Sequence, residues 1–258
     1  MSGELNRLLA LIWLSFRGSL RGSRAVGLTG FALVPSLIVA AIASGHPAAA
    51  SLSSTAENLF ALLTLPIVVM VILLVLSVGQ FRNEIDAETL VYLSDRSVAR
   101  PTIVVGKYLG SLGAALGLVI PATLIPLAVA TLAGGTPYPI GVPATMTAVA
   151  VLAAAAYGGF FLFLGLVSRS ALLIGLLFGF LWEELLPLLP GDVPRFTVIF
   201  YLRSLLSWEL STGPLSHFST VVSFGASVAA PLGLGVASVV LGGIVLRYLE
   251  TAPEREAG

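Results

Sequence analysis

The chain has 258 residues, of which 57% are hydrophobic and only 10% are charged, and its mean hydropathy is +1.02. An ordinary soluble domain carries roughly a quarter charged residues, so this composition excludes one and indicates a membrane protein. Thirteen basic and thirteen acidic residues cancel, which disfavours a soluble nucleic-acid binder, and the absence of cysteine excludes disulfides, thiolate metal sites and cysteine nucleophiles.

The start of the chain has the pattern of an amphipathic helix. Apolar residues recur at spacings of three and four and therefore share one helix face, while arginines fall towards the other. The apolar face consists of Leu5, Leu8, Leu9, Ile12, Trp13, Phe16 and Leu20; the polar face has Arg7, Arg17 and Arg21, with Leu11 and Leu14 as exceptions. We expect residues 1–26 to lie as a helix in the cytoplasmic headgroup region; the alternative is a solvated tail packed on a neighbouring segment.

The same region has some features of a secretory signal. Basic residues precede an apolar run from Val26 to Ala43, which three alanines at 48–50 follow. The apolar core of a signal is usually shorter, about 7 to 15 residues. We therefore expect the run to be retained as the first membrane span.

Six charge-poor windows approach the roughly 20 residues that an α-helix needs to cross a bilayer. They lie at approximately 27–44, 59–80, 109–133, 145–167, 171–189 and 229–246. Uniform hydrophobicity without a two-residue alternation favours helices over an outer-membrane barrel. The sequence therefore predicts an all-α polytopic membrane protein with six transmembrane helices, and Pro121 and Pro126 are candidate kinks in the third.

Basic residues predict the orientation, because Lys and Arg near the ends of spans are retained on the cytoplasmic side. With the N terminus inside, the outer segments keep only Arg195 and Arg203. The cytoplasmic segments hold Arg7, Arg17, Arg21, Arg24, Arg82, Arg96, Arg100, Lys107, Arg169, Arg247 and Arg255. This asymmetry predicts a multi-pass protein of the cell membrane with both termini inside.

Residues 80–109, between the second and third windows, form the longest charged stretch. Glu84 and Glu88 are four residues apart and share one flank of a predicted short helix. Pro101 suits the first turn of a second helix, which can continue through Lys107 into the third span. Periodicity alone predicts a mixed-charge helical elbow at the membrane surface or, alternatively, a solvated loop with incidental ion pairs.

Within this loop one set of residues forms a recognisable pattern: Glu84, Glu88, Thr89, Leu90, Leu93, Arg96, Ser97, Val98, Ala99, Arg100, Ile103, Gly106, Lys107, Tyr108 and Leu109. The pattern resembles the corresponding loop of the type-2 ATP-binding-cassette (ABC) transporter permeases. In that family an acidic residue precedes a Thr-Leu pair, a leucine-rich short helix, a basic-small-Val-x-Arg turn and a Gly-Lys pair that opens the third span. The family often has proline where this chain has Ser97. The resemblance extends to the six spans, the N-terminal helix and the run Leu181 to Glu184.

The resemblance implies that residues 1–258 form one transmembrane domain of an exporter, in which loop 81–108 is a coupling helix fitted to a separate cytoplasmic ATPase. The implied contact and support residues are Glu84, Glu88, Thr89, Leu90, Leu93, Arg96, Arg100 and Lys107. ATP and Mg²⁺ would be held by the ATPase, because this chain lacks the Gly-x-x-x-x-Gly-Lys-Ser/Thr motif and needs no cofactor of its own. A homodimer with two ATPases is the expected assembly.

Glu183 and Glu184 are the only charges inside a predicted span, where carboxylates are costly and by default indicate function. We expect a polar site in the outer leaflet that lines an exit, caps a polar cavity or contacts outer-loop backbone; a purely structural role is the alternative. CAAX-type intramembrane proteases also have a Glu-Glu pair, but Leu188 stands where that family has arginine. His46 and His217 are predicted near the outer side, away from positions suited to a metal or a base.

Residues 190–228 are too polar to span and are predicted to be extracellular. An interfacial or re-entrant helix is predicted by Ile199, Leu202, Leu205, Leu206 and Leu210, with Tyr201 and Trp208 suited to the membrane boundary. A simple extracellular loop is the alternative.

The sequence leaves alternatives open for helix packing and for function. The pairs Gly113-x-x-x-Gly117 and Gly175-x-x-x-Gly179 predict close helix packing, either between two copies or within one bundle. For function, the alternatives to a permease are a non-transporting scaffold or regulatory subunit that binds a partner through the same loop, and a protease that uses Glu183 and Glu184.

Overall fold

The structure is a computed structural model that describes residues 2–45, 49–86, 100–134, 137–207 and 222–249. Regular structure in these ranges is helical throughout. The α-helices are α1 Ser2–Ser19, α2 Ser23–Ala32, α3 Val34–Ala43, α4 Ala49–Leu59, α5 Met70–Asp86, α6 Arg100–Gly134, α7 Gly141–Val167, α8 Ala171–Leu177, α9 Val198–Leu206 and α10 Phe224–Leu249. A π-helix, Phe60–Val69, joins α4 to α5; a second one, Phe178–Leu185, extends α8, and 3₁₀ turns follow at Leu186–Leu188 and Val193–Phe196.

Six helical segments are long and apolar enough to cross a membrane, which confirms the prediction of an all-α, multi-pass membrane protein. They are Ser23–Ala43, Leu52–Arg82, Pro101–Gly134, Gly141–Val167, Ala171–Leu188 and Phe224–Leu246, and are called spans one to six below. All except span five begin earlier than predicted. In spans one, two and three the helix includes a charged residue, Arg24, Glu57 or Lys107, that the charge-free window left out. Spans four and six are extended by uncharged residues only.

The two proline positions that were candidate kinks do not interrupt their helix. Both Pro121 and Pro126 lie inside α6, which is continuous from Arg100 to Gly134. A proline does lie in an irregular region of span two, where Pro66 is within the π-helix Phe60–Val69. Proline lacks the backbone N–H that an α-helical turn requires, so a wider turn at this position avoids an unmet hydrogen bond.

Helix α1 confirms the predicted N-terminal helix, and part of its apolar face, with Leu8, Ile12 and Phe16, packs on the protein together with Leu11. It lies along the first turns of α6, where Leu11 packs against Gly106 and the backbone of Ile12 approaches Gly110. A Cβ atom at Gly110 would stand 2.7 Å from the carbonyl oxygen of Ile12. Leu11 was an exception on the polar face, and Leu9 and Trp13, expected to face the membrane interface, are not covered by the protein. The glycines of α6 let the two backbones approach, so that Leu11 is covered as well.

The predicted helix of residues 1–26 is also too long. Helix α1 ends at Ser19, and Ser23 already begins span one. Between them Gly22 has φ +83° and ψ −170°, a backbone conformation that is essentially restricted to glycine. This turn therefore separates the helix on the bundle surface from the first span.

Helix α7 is the centre of the bundle and contacts α5, α6 and α10. In spans two and four 67% of the most apolar stretch is buried inside the protein, against 28%, 22% and 28% in spans one, five and six. The protein therefore has two inner spans, and its outer spans expose most of their leucine-rich surface.

Close backbone approach allows this packing. A Cβ atom at Gly159 of α7 would stand 2.6 Å from the carbonyl oxygen of Gly235 on α10, and one at Gly235 would stand 2.6 Å from the carbonyl oxygen of Ala155. Helices with glycine at such contacts bring their backbones together and gain dispersion energy without a hydrophobic driving force.

Of the two predicted small-residue pairs, Gly175 and Gly179 pack within the bundle. On span five, Gly175 and Gly179 lie directly against the side chains of Leu74 and Met70 of span two. Gly117 of α6, in contrast, faces open space.

We predict that Gly235→Ala destabilises the protein by roughly 1–3 kcal/mol, the usual effect of overpacking a close helix contact. Gly233→Ala is the matched control, since Gly233 lies two residues away on α10 and faces open space. Reversible unfolding of both variants in detergent measures the difference. Equal stability of the two variants would contradict the close approach of α7 and α10.

Candidate functional site

The carboxylate of Glu183, near the end of span five, is only 2% exposed and accepts three hydrogen bonds. Its Oε2 accepts from the Tyr157 hydroxyl at 2.8 Å and from the Ile199 N–H at 2.7 Å, and its Oε1 accepts from the Val198 N–H at 3.2 Å. Val198 and Ile199 open α9, and the first N–H groups of a helix have no partner within it. Glu183 therefore caps α9 from another helix, at the end where the helix dipole favours a negative charge.

Thr197, the residue in the ordinary N-capping position, does not cap α9. Thr197 precedes α9 but makes no side-chain cap; its hydroxyl donates instead to the Pro194 carbonyl at 2.7 Å. The cap is thus supplied by a residue that is distant in sequence, and the start of α9 is fixed to span five.

Both neighbours of Glu183 hold the same segment. The indole N–H of Trp182 donates to the Phe196 carbonyl at 3.1 Å, and the guanidinium of Arg203 lies 3.2 Å from the Glu184 carboxylate. The Arg203 side chain is 8% exposed and that of Glu184 30% exposed, so this ion pair is only partly shielded from solvent. Three consecutive side chains of span five thus anchor residues 193–207. We call them, with Tyr157, the α9 anchor.

Three roles were expected for Glu183: to line an exit, to cap a polar cavity or to contact outer-loop backbone. The geometry shows contact with the backbone of the segment after span five. The helix predicted in residues 190–228 is present as α9, and Ile199, Leu202 and Leu206 are fully buried against the bundle. Leu210 and Trp208 lie outside the described residues, as do His46 and His217.

Glu57 is a further acidic residue inside a span, and the sequence did not predict it there. Span two begins at Leu52, so Glu57 lies within it and is half-buried, whereas the charge-free window began at Leu59 and left Glu57 outside. Nearby, the Tyr138 hydroxyl donates to the Ser53 carbonyl at 3.0 Å. Burial raises the pKa of Tyr138 to about 12, and the charge of Glu57 contributes to the rise. The phenol therefore remains a protonated donor at physiological pH.

At the opposite end of the bundle, Lys107 connects spans two and three. Its side chain is 3% exposed, its Nζ donates to the Gln80 carbonyl at 2.7 Å, and it lies 4.9 Å from the centre of the Phe81 ring. The Gln80 side chain in turn donates to the Ser19 hydroxyl of α1 at 2.6 Å. These contacts, which we call the Lys107 clamp, join α1, α5 and α6 beside the predicted coupling loop.

The rest of the predicted coupling set is not brought together by the described structure. Glu84 lies on α5 and Arg100 opens α6, which confirms that helices flank the loop on both sides. Their side chains, and the whole of Glu88, Thr89, Leu90, Leu93 and Arg96, lie outside the described residues. The role of this set in binding a partner stays a prediction.

Two cavities accompany these features. One, of about 590 Å³, lies beside the Lys107 clamp between the end of α1 and the last turns of α5. The other, of about 960 Å³, is an apolar groove between α6, α7, α9 and α10, bordered by Leu124, Leu205 and Phe224. Neither of them is lined by Glu183 or Glu184.

No protein-family model and no curated protein sequence matches the chain. The assignment as an all-α, multi-pass membrane protein therefore follows from the chain's own composition and its six apolar helices.

We predict that Glu183→Ala destabilises the protein by roughly 2–4 kcal/mol, because the Tyr157 hydroxyl and two N–H groups of α9 lose their acceptor in a buried position. Glu183→Gln, which retains one acceptor oxygen, should cost less. The measurements are unfolding in detergent and the rate of limited proteolysis within residues 190–207.

Asp192→Ala is the control for this series. Asp192 belongs to the same segment, but its side chain is 79% exposed and its ion pair with Arg195 is open to solvent. An exposed pair of this kind contributes little. If Glu183→Ala proved no more sensitive than Asp192→Ala, the anchoring of α9 by Glu183 would be refuted.

Proposed function

We propose that the chain is the permease subunit of a type-2 ABC exporter of the cell membrane, driven by a separate ATPase that binds the loop between spans two and three. The motif from Glu84 to Leu109 that resembles this family supports the proposal. The single structural observation that carries it is the Lys107 clamp, because the clamp gives this loop a rigid base.

A coupling loop has to pass a movement of its partner to the membrane spans. Helix α5 is continuous with span two up to Asp86, and α6 opens at Arg100 and is continuous with span three. The loop is therefore mounted directly on two spans that Lys107 joins through the Gln80 carbonyl. A partner that contacts the loop differently in two states can bias the arrangement of the spans, since only differential contacts shift such an equilibrium.

Helix α1 adds a third element to the same base. It packs on Gly106 and Gly110 of α6, and its Ser19 accepts a hydrogen bond from Gln80. Because the turn at Gly22 follows directly, span one is connected to the loop base as well. Movement of the loop thus reaches spans one, two and three.

The proposed assembly contains two permease copies, in the simplest case a homodimer, and two ATPases that hold ATP and Mg²⁺. Spans one, five and six expose most of their apolar surface, which leaves faces for a second copy and for membrane lipid. The proposed orientation has both termini inside, so that the loop and α1 face the ATPase.

The geometry of the α9 anchor opposes the protease alternative. Three protein groups donate to the Glu183 carboxylate, Glu184 is paired with Arg203, and neither residue lines the two cavities described above. A scaffold that binds a partner without transport is separated from a permease by the experiment below.

We predict that Leu93→Asp and Glu88→Lys leave the protein folded but abolish both transport and stimulation of the partner's ATPase. The chain is purified from its native membranes in mild detergent, and the proteins that accompany it are identified. The permease proposal requires a stoichiometric cytoplasmic ATPase that is lost from the Leu93→Asp variant.

Asp192→Lys is the matched charge reversal for Glu88→Lys, at an exposed position near the far end of the bundle. It should retain the partner and its stimulation. Isolation of the chain alone, repeated after crosslinking, would refute the permease. A partner whose binding depends on Leu93 but which hydrolyses no ATP would identify the scaffold.

The proposed orientation is tested with single cysteines, since the chain has none of its own. We expect Ser211→Cys to react with a membrane-impermeant maleimide on intact cells, and Ser94→Cys to react only after the membrane is permeabilised. Cysteine at Ser94 labelled from outside would reverse the orientation and remove the loop from any cytoplasmic ATPase.

A further inference from the structure

The apolar groove of about 960 Å³ runs along spans four and six. On α7 its lining extends from Pro143, in the first turn, to Ala155, near the middle of the helix. These residues are twelve positions apart, which at a rise of 1.5 Å per residue is about 18 Å. The hydrocarbon of one leaflet is about 15 Å deep, half of the roughly 30 Å of the bilayer core. The groove therefore begins at the end of a span and extends over about the depth of one leaflet.

The groove is continuous with the exposed surface of span six. Phe224, Val228 and Leu232 line it, and they follow one another at intervals of four residues on one face of α10. The next two residues of this row, Val236 and Val240, are 63% and 56% exposed. Span six buries only 28% of its most apolar stretch, so the row belongs to the surface that meets the bilayer hydrocarbon. An acyl chain can thus enter the groove from the side, without crossing a polar layer.

Two polar groups beside the groove are already paired within the protein. The Thr147 hydroxyl donates to the Pro143 carbonyl at 2.7 Å, and the Ala155 carbonyl accepts from the Tyr108 hydroxyl at 2.9 Å. An ordered water needs two to four polar partners. These pairings therefore favour an apolar occupant of the groove over ordered water.

The size of the groove has a consequence in lipid. Its volume is in the range of sites that hold a small molecule, about 300–1,000 Å³. If it were empty, the side chains that line it would lose dispersion contacts on one side. A flexible chain that fills it restores these contacts, whereas the hydrophobic effect adds nothing, because the surrounding lipid is equally apolar.

We propose that this groove is a binding site for an acyl chain of a membrane phospholipid, which lies along Leu152, Val228 and Leu232. The headgroup lies at the ends of spans four and six, near Ile140 and Phe224, which are 88% and 60% exposed. The bound chain fills the space between α7, α9 and α10 and is retained when bulk lipid is removed. The site goes beyond the proposed transport function and does not depend on it.

The site is tested on the full-length chain with photoleucine, a diazirine analogue that is close to leucine in shape. Leu152→photoleucine places the probe on the groove lining. The chain is extracted from its membranes in mild detergent and irradiated, and mass spectrometry identifies the crosslinked products. We expect a phospholipid adduct. Leu62→photoleucine is the matched control, because Leu62 is 53% exposed and does not line the groove, and it should give detergent adducts alone.

Three results of this experiment would overturn the proposal. Detergent adducts alone at both positions would show that the groove retains no lipid. Crosslinks to a second copy would assign the groove to a dimer interface. Crosslinks to residues 208–221 would assign it to the chain that follows α9.

A pair of alanine variants tests the site without a probe. Ala148 lines the groove and is exposed, so Ala148→Phe places a ring in the groove. Ala229→Phe is the control, at an exposed position of α10 outside the lining. In native mass spectrometry we expect the first variant to lose the retained phospholipid and the second to keep it, with thermal unfolding as the check that both are folded. Retention of the lipid by folded Ala148→Phe would contradict the site.

Titration of the delipidated chain distinguishes recognition of the acyl chain from recognition of the headgroup. Dioleoyl phosphatidylcholine and dioleoyl phosphatidylglycerol should bind equally. Dihexanoyl phosphatidylcholine should bind more weakly, because its short chains fill only part of the groove. Equal binding of the long-chain and short-chain lipids, or binding of phosphatidylglycerol alone, would assign recognition to the headgroup and overturn the proposal.

Discussion

The close approach of α7 to its neighbours is the contact on which the bundle depends. Lipid is as apolar as leucine, so helices in a bilayer do not associate through the hydrophobic effect and need short-range packing instead. Gly159 and Gly235 bring α7 and α10 into backbone contact, and Gly165 does the same for α7 and Val78 of α5. Because α7 also contacts α6 and α9, its position sets both ends of the molecule.

Two buried charges at the two ends of the bundle are held by backbone groups. Glu183 accepts from N–H groups at the start of α9, which have no partner within that helix, and Lys107 donates to the Gln80 carbonyl of α5. These hydrogen bonds offset part of the cost of removing each charge from water.

The sequence predicted features that depend on residues close together in the chain. Apolar runs predicted the spans, and three- and four-residue spacing predicted α1 and α9, because these patterns lie within a single helix. Contacts between residues of different helices could not be predicted. Leu11 remained an unexplained exception on the polar face of α1, because its partner Gly106 is far along the chain. Glu183 was recognisable as a costly carboxylate, but its donors on Tyr157 and Ile199 are known only once three helices are packed.

The α9 anchor also has a mechanical consequence. Trp182, Glu183 and Glu184 are consecutive on span five, and each reaches a different point between Phe196 and Arg203. Three attachment points along one segment restrict its rotation relative to span five. A tilt of span five would therefore carry α9 with it and displace Leu205, which borders the apolar groove.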